Sequence, residues 1–144
     1  MYKTILVPID LTEVGSFTDK VVEHALGILE PHGQLILLTV VPGYQMPLVG
    51  SFFPQGTFDS VVHHAEGELE RYVADKLPVD PQECTLKVVE GKPADTILQV
   101  AGEAGADVIV MASHKQSRME RTVIGSIASK VVGRADMPVL VVKG

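Results

Sequence analysis

The sequence contains little that could cross-link the chain. Among its 144 residues there is one cysteine, Cys84, so no internal disulfide can form. Because no second thiol is present to complete a redox motif, we interpret Cys84 as a passive residue.

Long apolar runs are also missing. The longest stretches are pieces such as LILLTVV at 35–41, well below the ~20 residues that a membrane span requires. Residues 1–10, MYKTILVPID, lack the charged start, apolar centre and small-residue cleavage site of a secretory signal. We therefore expect a cytoplasmic protein with no membrane partner.

Positive charge is scarce overall but concentrated in one segment. The chain has 12 Lys and Arg against 18 Asp and Glu, a formal net charge of -6. A broad nucleic-acid surface needs many cations, so we expect no nucleic-acid partner. Residues 111–130, MASHKQSRMERTVIGSIASK, nevertheless contain four cations and one acid, namely Lys115, Arg118, Arg121, Lys130 and Glu120. A cluster of this size suits one small anion.

Short runs rich in Val, Ile and Leu alternate along the chain with stretches of helical period. This order is typical of βαβ units around a parallel sheet, and the length fits one domain covering 1–144. We predict strands at 3–9, 34–41, 85–90, 107–112 and 138–142. Helices are predicted at 15–30, 58–77, 93–104 and 126–135. The expected fold class is therefore α/β, a Rossmann-like three-layer sandwich around a parallel sheet.

Three of these elements carry informative patterns. The helix at 58–77 has apolar residues at three- and four-residue steps, which predicts one face packed on the sheet. These residues are Val62, Ala65, Leu69, Tyr72, Val73 and Leu77. The strand at 85–90 includes Lys87 and is predicted at an exposed edge, whereas the other strands are nearly continuous apolar runs. In the third helix, Pro93 suits the first turn and Gly105 suits the end.

The segment 42–57, PGYQMPLVGSFFPQGT, is long for a loop and carries several apolar side chains. A loop of this length in a compact domain commonly forms a lid, an interface or a mobile segment. Packing of Tyr44, Met46, Phe52 and Phe53 on the domain's own surface is an equally good interpretation. The sequence leaves both open.

Ligands of an open parallel sheet bind beyond the carboxyl ends of its strands. There Asp10 could accept hydrogen bonds from a ribose or help to hold a divalent ion, or it could simply cap the following helix. At the last helix, Ser126 is predicted as the N-cap, and Gly125 would let the backbone approach an anion. With His114 and Lys115 the region offers the donors that a phosphate chain requires. A solvated basic loop is the alternative.

Established phosphate and catalytic motifs are absent. No segment fits GxxxxGK[ST], and none fits GxGxxG after the first strand, so a P-loop NTPase and an ordinary dinucleotide-binding domain are excluded. Asp10, His114 and Glu120 are candidate bases, but their spacing marks no dyad or triad. His63 and His64 project in different directions from a helix, and we predict no catalytic or metal site.

Three segments, in order, resemble the universal stress protein family. MYKTILVPID resembles the family's first strand with its aspartate. ASHK, followed by nine residues and GS, resembles its nucleotide loop, and ADMPVLVV resembles its closing strand. The resemblance covers the whole chain. It implies a five-stranded sheet of order 3-2-1-4-5 with about four helices, and a homodimer formed through the last strand, 138–142.

The resemblance also implies an adenine-nucleotide site. The family pattern G-x2-G-x9-G-[ST] falls on Ala112, Lys115, Gly125 and Ser126, so two glycines are replaced, and we interpret Lys115 as a phosphate partner. The ends of the first two strands would border the base and ribose, and the last helix would hold the phosphate tail. In chain order the implied site comprises Pro8, Ile9, Asp10, Val40, Met111, Ala112, Ser113, His114, Lys115, Gln116, Ser117, Gly125, Ser126 and Ile127.

Two hypotheses follow from these features. The first is a homodimeric regulatory module of the stress response that binds ATP, with or without Mg²⁺, with AMP or ADP as alternatives. This hypothesis leaves open slow ATP hydrolysis or autophosphorylation at a site hydroxyl such as Ser126, and a dedicated enzyme is not expected. The second is a dimeric interaction or stress-signalling protein that has lost nucleotide binding. The ligand capacity of residues 112–126 separates the two.

Overall fold

The computed structural model describes residues 1–10, 16–41, 55–76, 83–113 and 124–143. For residues 16, 55–59 and 76 it describes the backbone alone. Part of the predicted site, from His114 to Ser117, and residues 42–54 of the long predicted loop lie outside the described residues.

Five strands and four helices make up this described part of the chain. The strands are β1 (Tyr2–Pro8), β2 (Leu29–Val41), β3 (Cys84–Glu90), β4 (Val108–Ala112) and β5 (Val139–Val142). The helices are α1 (Ser16–Ile28), α2 (Gln55–Lys76), α3 (Pro93–Ala104) and α4 (Ser126–Arg134). The alternation confirms the predicted α/β class. Within these ranges no helix has the length and apolar composition needed to cross a membrane.

The five strands form one parallel sheet of order β3-β2-β1-β4-β5. In the central strand, Ile5 lies opposite Leu35 of β2 on one side and opposite Val108 of β4 on the other. The sheet order expected from the resemblance is confirmed. Lys87 is exposed on β3, which is an edge strand as its composition predicted. The strand order reverses between β1 and β4, where ligands of such sheets bind.

Hydrophobic cores lie on both faces of the sheet. Ile5 and Val7 of β1 pack in one core with residues of α1 and α2. Leu6, between them in sequence, packs in the other core with residues of α3 and α4. Each fully buried aliphatic side chain of this size contributes about 1.5–3 kcal/mol to folding. A shift of β1 by one residue would exchange the two faces, so its register is strongly determined.

The apolar face predicted for α2 is confirmed for its described residues, whereas Leu77 lies outside them. Ala65, Leu69 and Tyr72 are buried against the sheet. Tyr72 also donates a hydrogen bond from its hydroxyl to Asp19 Oδ1 of α1, at 2.8 Å. Burial, and secondarily this hydrogen bond, raises the pKa of Tyr72. The hydroxyl therefore stays protonated and joins the two helices that cover this face.

The start of α2 differs from the prediction. The helix begins at Gln55, three residues before the predicted start at 58, so the last residues of the segment predicted as a loop are helical. Gly56 and Thr57 in its first turn have low helix propensity, which is why the sequence pattern places the start too late.

The boundary between α1 and β2 was also predicted wrongly. The helix predicted to reach residue 30 ends at Ile28, and the strand predicted from 34 begins at Leu29. Pro31 explains the early end of the helix, because the residue before a proline is disfavoured in the α conformation.

The early start of β2 creates a bulge against β1. Tyr2 lies opposite Leu29, but Thr4 lies opposite Gln34, so β2 carries extra residues across this step. Within the bulge His32 has a φ of 62°, in the left-handed region. Beyond the bulge, from Gln34 onward, the apolar residues of β2 pair with β1 residue by residue.

The ends of α3 agree with the prediction. Pro93 lies in the first turn, and Gly105 closes the helix with φ 65° and ψ 40°, a conformation that favours glycine. Asp95 Oδ1 in the first turn accepts a hydrogen bond from Arg134 Nη1 of α4 at 3.1 Å, and this ion pair joins the two helices on this face. Because both side chains are exposed, the pair is worth at most about 1 kcal/mol.

Replacing Gly33 with alanine should destabilise the protein. An added Cβ would lie 2.7 Å from Leu29 Cδ1 and 2.8 Å from the Lys3 carbonyl oxygen, so β1 and the bulge would have to move apart. We expect the free energy of unfolding to fall by about 1–3 kcal/mol in urea denaturation. Gly102→Ala on α3, where a Cβ meets nothing within 4 Å, is the control and should stabilise by up to about 1 kcal/mol. If the two substitutions changed the free energy of unfolding equally, close packing at the bulge would not be the cause of the loss.

Candidate functional site

The carboxyl ends of β1 and β2 lie side by side at the carboxyl edge of the sheet, the side on which its parallel strands end. This edge is distinct from the edge strands β3 and β5. Pro8 pairs with Leu38, and beyond it the Ile9 N–H donates a hydrogen bond to the Leu38 carbonyl oxygen at 2.7 Å. Asp10 follows as an exposed residue, and Val40 is partly buried two residues further along β2. The structure therefore brings Pro8, Ile9, Asp10 and Val40 to one edge, as the predicted site requires.

Thr39 holds the end of β1 at this edge. Its Oγ1 donates a hydrogen bond to the Ile9 carbonyl oxygen at 3.0 Å, and Thr39 is buried. β2 therefore binds both the N–H and the carbonyl group of Ile9. Sequence reasoning missed this residue. The available signal was a lone hydroxyl in the apolar run LILLTVV.

Ser113 joins three elements at the same edge. Its N–H donates a hydrogen bond to the Val142 carbonyl oxygen of β5 at 2.9 Å. Its carbonyl oxygen accepts a hydrogen bond from the Gly125 N–H, also at 2.9 Å. The end of β4 is thereby tied to β5 and to the start of α4. The two halves of the predicted nucleotide pattern, separated in sequence by residues 114–124, meet at this point.

The start of α4 corrects one prediction. Gly125 is the N-cap, with φ -62° and ψ 162°, and Ser126 is the first helical residue rather than the cap. The Gly125 carbonyl oxygen accepts the Ser129 N–H at 2.9 Å. The N–H groups of Ser126, Ile127 and Ala128 have no acceptor within the helix. Together with the helix dipole they make this end suitable for binding an anion.

The remaining described residues of the predicted site lie at the end of β4. Met111 is buried in the core shared with α3 and α4, and Ala112 is partly buried against the opposite core. Ser113 is 2% exposed, and its hydroxyl has no hydrogen-bond partner among the described residues. Leaving a buried hydroxyl unpaired costs about 1–3 kcal/mol. Native proteins seldom keep such a group without a reason.

The edge of the sheet also includes the end of β3. The Gly91 N–H donates a hydrogen bond to the Val41 carbonyl oxygen at 2.9 Å. Gly91 has a φ of 150°, and an added Cβ would collide with Thr96 Oγ1 of α3. A side chain at this position is therefore excluded, and β3 and α3 meet closely beside β2.

The chemistry of this edge suits a phosphorylated ligand better than a metal ion. Backbone N–H groups at the α4 start are hydrogen-bond donors to phosphate oxygens, and the exposed carboxylate of Asp10 can accept hydrogen bonds from hydroxyl groups. In the described ranges no three His, Cys, Asp or Glu residues come close enough to hold a metal. His114, Lys115, Gln116 and Ser117 lie outside those ranges.

Cys84 is remote from this edge. It begins β3, at the amino end of the strand, and it is a free thiol. Burial raises the pKa of the Cys84 thiol to about 11. The protonated thiol is a poor nucleophile at neutral pH, in agreement with the passive role inferred from the sequence.

The topology is that of a Rossmann-like α/β protein with a five-stranded parallel sheet, and comparison with known proteins gives its family. The sequence pattern of the universal stress protein family matches residues 1–143. Universal stress protein G of Escherichia coli O157:H7 is 33% identical over 144 residues, covering 99% of this chain and 100% of that protein. The chain therefore belongs to the universal stress protein family, and its role lies in the stress response.

A relative from another organism agrees with this assignment, and solved structures share the fold. Universal stress protein MJ0531 of Methanocaldococcus jannaschii is 28% identical over 151 residues, covering 99% of this chain and 83% of that protein. The structure of UspA from Lactobacillus plantarum superposes with a TM-score of 0.75 at 23% identity, covering 98% of this chain and 97% of that chain. A universal stress protein solved in complex with cAMP has a TM-score of 0.61 at 22% identity, with coverages of 98% and 96%. At these identities the structures support the fold.

Thr39→Val should loosen the end of β1. The substitution keeps the shape of the side chain but removes the hydroxyl that donates to the Ile9 carbonyl oxygen. We expect the free energy of unfolding to fall by about 0.5–1.5 kcal/mol in urea denaturation. Thr85→Val, at an exposed position on the edge strand β3, is the matched control and should change stability by less than about 0.5 kcal/mol. A Thr39 variant as stable as the control would show that this hydrogen bond does not hold the edge.

Proposed function

We propose that the chain is a homodimeric regulatory module of the stress response that binds an adenine nucleotide, with ATP as the favoured ligand. The observation that supports this most directly is the hydrogen bond from the Gly125 N–H to the Ser113 carbonyl oxygen. It holds the start of α4 against the end of β4, next to β1, the strand that Asp10 follows. Donors for phosphate and an acceptor for a ribose therefore lie along one edge of the sheet.

The parts of the ligand would be divided along this edge. The base and ribose would lie near Ile9, Asp10 and Val40, where the ends of β1 and β2 meet. The ribose and first phosphates would follow the segment from Met111 to Ser117, and the phosphate tail would reach the N–H groups of Gly125, Ser126 and Ile127. The Gly125 N–H is already engaged with Ser113, so Ser126 and Ile127 are the better donors.

A relative supports adenine nucleotides as the ligand class. One universal stress protein of the same fold has been solved in complex with cAMP. That ligand combines an adenine base, a ribose and a phosphate, the three groups that the proposed site would hold. ATP, AMP and ADP share these groups, and the number of phosphates becomes the quantity to measure.

The same edge offers a route from ligand to dimer. Ser113, at the proposed phosphate position, donates its N–H to Val142 of β5. β5 is an edge strand with Leu140 exposed, and an unpaired apolar edge is a liability unless a partner covers it. We propose that two chains pair through residues 138–142, and that nucleotide binding alters this contact. One domain over 1–144 and a cytoplasmic location stay predictions.

Nucleotide binding should be tested on freshly purified protein by native mass spectrometry, followed by calorimetric titration with ATP, AMP and ADP in the presence and absence of Mg²⁺. We expect a dimer that binds ATP, with affinity that increases with the number of phosphates. A dimer that binds no nucleotide at millimolar concentration would instead support the interaction module without a ligand.

Lys115→Ala should weaken ATP binding more than adenosine binding. If the ammonium group pairs with phosphate, its loss removes a charge-assisted contact worth about 1.5–3 kcal/mol, or about tenfold or more in affinity for ATP. Adenosine lacks phosphate and should bind both proteins equally in calorimetry. Lys3→Ala, which removes an exposed lysine beside the amino end of β1, is the control for net charge. Equal losses for ATP and adenosine would exclude a phosphate role for Lys115.

Leu140→Glu should dissociate the proposed dimer. Leu140 is 36% exposed on β5, and a carboxylate there would lose water beside the side chains of the pairing strand, at a cost of several kcal/mol. Sedimentation velocity should show a monomer for this variant and a dimer for the parent chain. Val61→Glu, at an apolar position on α2 that is 47% exposed, serves as the control and should stay dimeric. Dimers in both variants would place the interface elsewhere.

A further inference from the structure

The two edge strands of the sheet differ in charge. β5 reads VLVV and carries no charged side chain, whereas β3 reads CTLKVVE, with Lys87 and Glu90 exposed. All seven residues of β3 are at least partly exposed. In the part of the chain that the structure describes, β2 is the only strand paired with β3. The outer backbone N–H and carbonyl groups of β3 therefore face no described strand, and such an edge is a template for pairing with another chain.

A second copy of the chain can pair with β3 only in certain registers. Antiparallel pairing of two identical edges follows a two-fold axis normal to the sheet. That axis preserves the two faces of the sheet, and side chains alternate between the faces, so odd-numbered residues lie opposite odd-numbered ones. Within β3, Lys87 can therefore lie opposite Thr85, Lys87 or Val89 of the second copy. It never lies opposite Glu90, so no register of this kind neutralises its charge.

The most extensive register places two lysines face to face. Lys87 is the middle residue of β3, Cys84–Glu90, so pairing centred on it is the register that uses the whole strand. Centring the pairing on Leu86 or Val88 leaves only residues 84–88 or 86–90 paired. In the full register the Cβ atoms of the two lysines would be about 4.5–5.5 Å apart, and like charges directly opposite each other destabilise the pair.

We propose that Lys87 keeps the β3 edge from pairing with a second copy of the chain, so that association through β5 stops at two chains. Every register of β5 brings Val and Leu side chains together, and charge opposes none of them. If both edges paired, each chain would join two others and the sheet would extend from dimer to dimer. The role of Lys87 at β3 is independent of the proposed dimer, and only the limit of two chains rests on that part of the proposed function.

Lys87→Val should open the β3 edge. Valine removes the charge and favours extended structure. Sedimentation velocity over a series of chain concentrations should show species at least about twice the mass of the parent assembly, because each new contact joins two such assemblies. Hydrogen exchange followed by mass spectrometry should show slower exchange of the β3 backbone N–H groups than in the parent. Lys3→Val is the matched control, since it removes the same charge from an exposed residue of the central strand β1 and should keep the parent mass.

Lys87→Glu separates the effect of charge from that of side-chain shape. The variant alone should keep the parent mass, because two carboxylates would then lie opposite each other. Mixed with the parent chain at low ionic strength, it should form larger species, since a lysine then lies opposite a carboxylate. Added salt should dissociate these species by screening the pair. Larger species of the variant alone, or a mixture no larger than its components, would exclude charge as the cause.

The remaining outcomes are equally decisive. A Lys87→Val variant with the parent mass and unchanged β3 exchange would overturn the proposal. Larger species without slower exchange in β3 would place the new contact elsewhere and would also overturn it. A monomeric parent whose Lys87→Val variant dimerises through β3 would support the role of Lys87 and contradict the proposed dimer. If Lys87→Val fails to fold, Lys87→Gln carries the same test, because it removes the charge and keeps a long polar side chain.

Discussion

Burial of the central strand on both faces is the constraint on which the rest of this structure depends. Ile5, Leu6 and Val7 are fully buried, with alternate side chains in opposite cores. A parallel strand covered by helices on both faces can be polar only where it leaves the sheet. Polar groups of this strand therefore lie at its ends, and the proposed site occupies the carboxyl ends next to the reversal of strand order.

Hydrogen bonds to backbone groups, most of them donated by other backbone groups, assemble this edge. In β2, the Leu38 carbonyl oxygen accepts a hydrogen bond from the Ile9 N–H, and the Thr39 hydroxyl donates one to the Ile9 carbonyl oxygen. Ser113 is held between β5 and α4 in the same way. Such an arrangement tolerates changes of side chain, and the replacement of two family glycines by Ala112 and Lys115 need not alter it. Ala112 keeps its place in the pairing of β4 with β5.

The site also links two properties that the family resemblance gives separately, ligand binding and association. Ser113 contacts α4 through its carbonyl group and β5 through its N–H. A ligand at the start of α4 would therefore act one hydrogen bond away from the edge strand that is proposed to pair with a second chain. Such a ligand would change the association of two chains if it bound the paired and unpaired forms of β5 with different affinities.

Amino-acid patterns alone predict the α/β class, the exposed edge position of β3 and the buried face of α2, because these depend on hydrophobic period and on composition within single elements. They also predict a ligand site at the carboxyl ends of the strands. Tertiary contacts alone explain the bulge before Gln34, the N-cap at Gly125 and the roles of Thr39 and Ser113. Each of these depends on which backbone groups from distant segments meet, and local pattern does not contain that information.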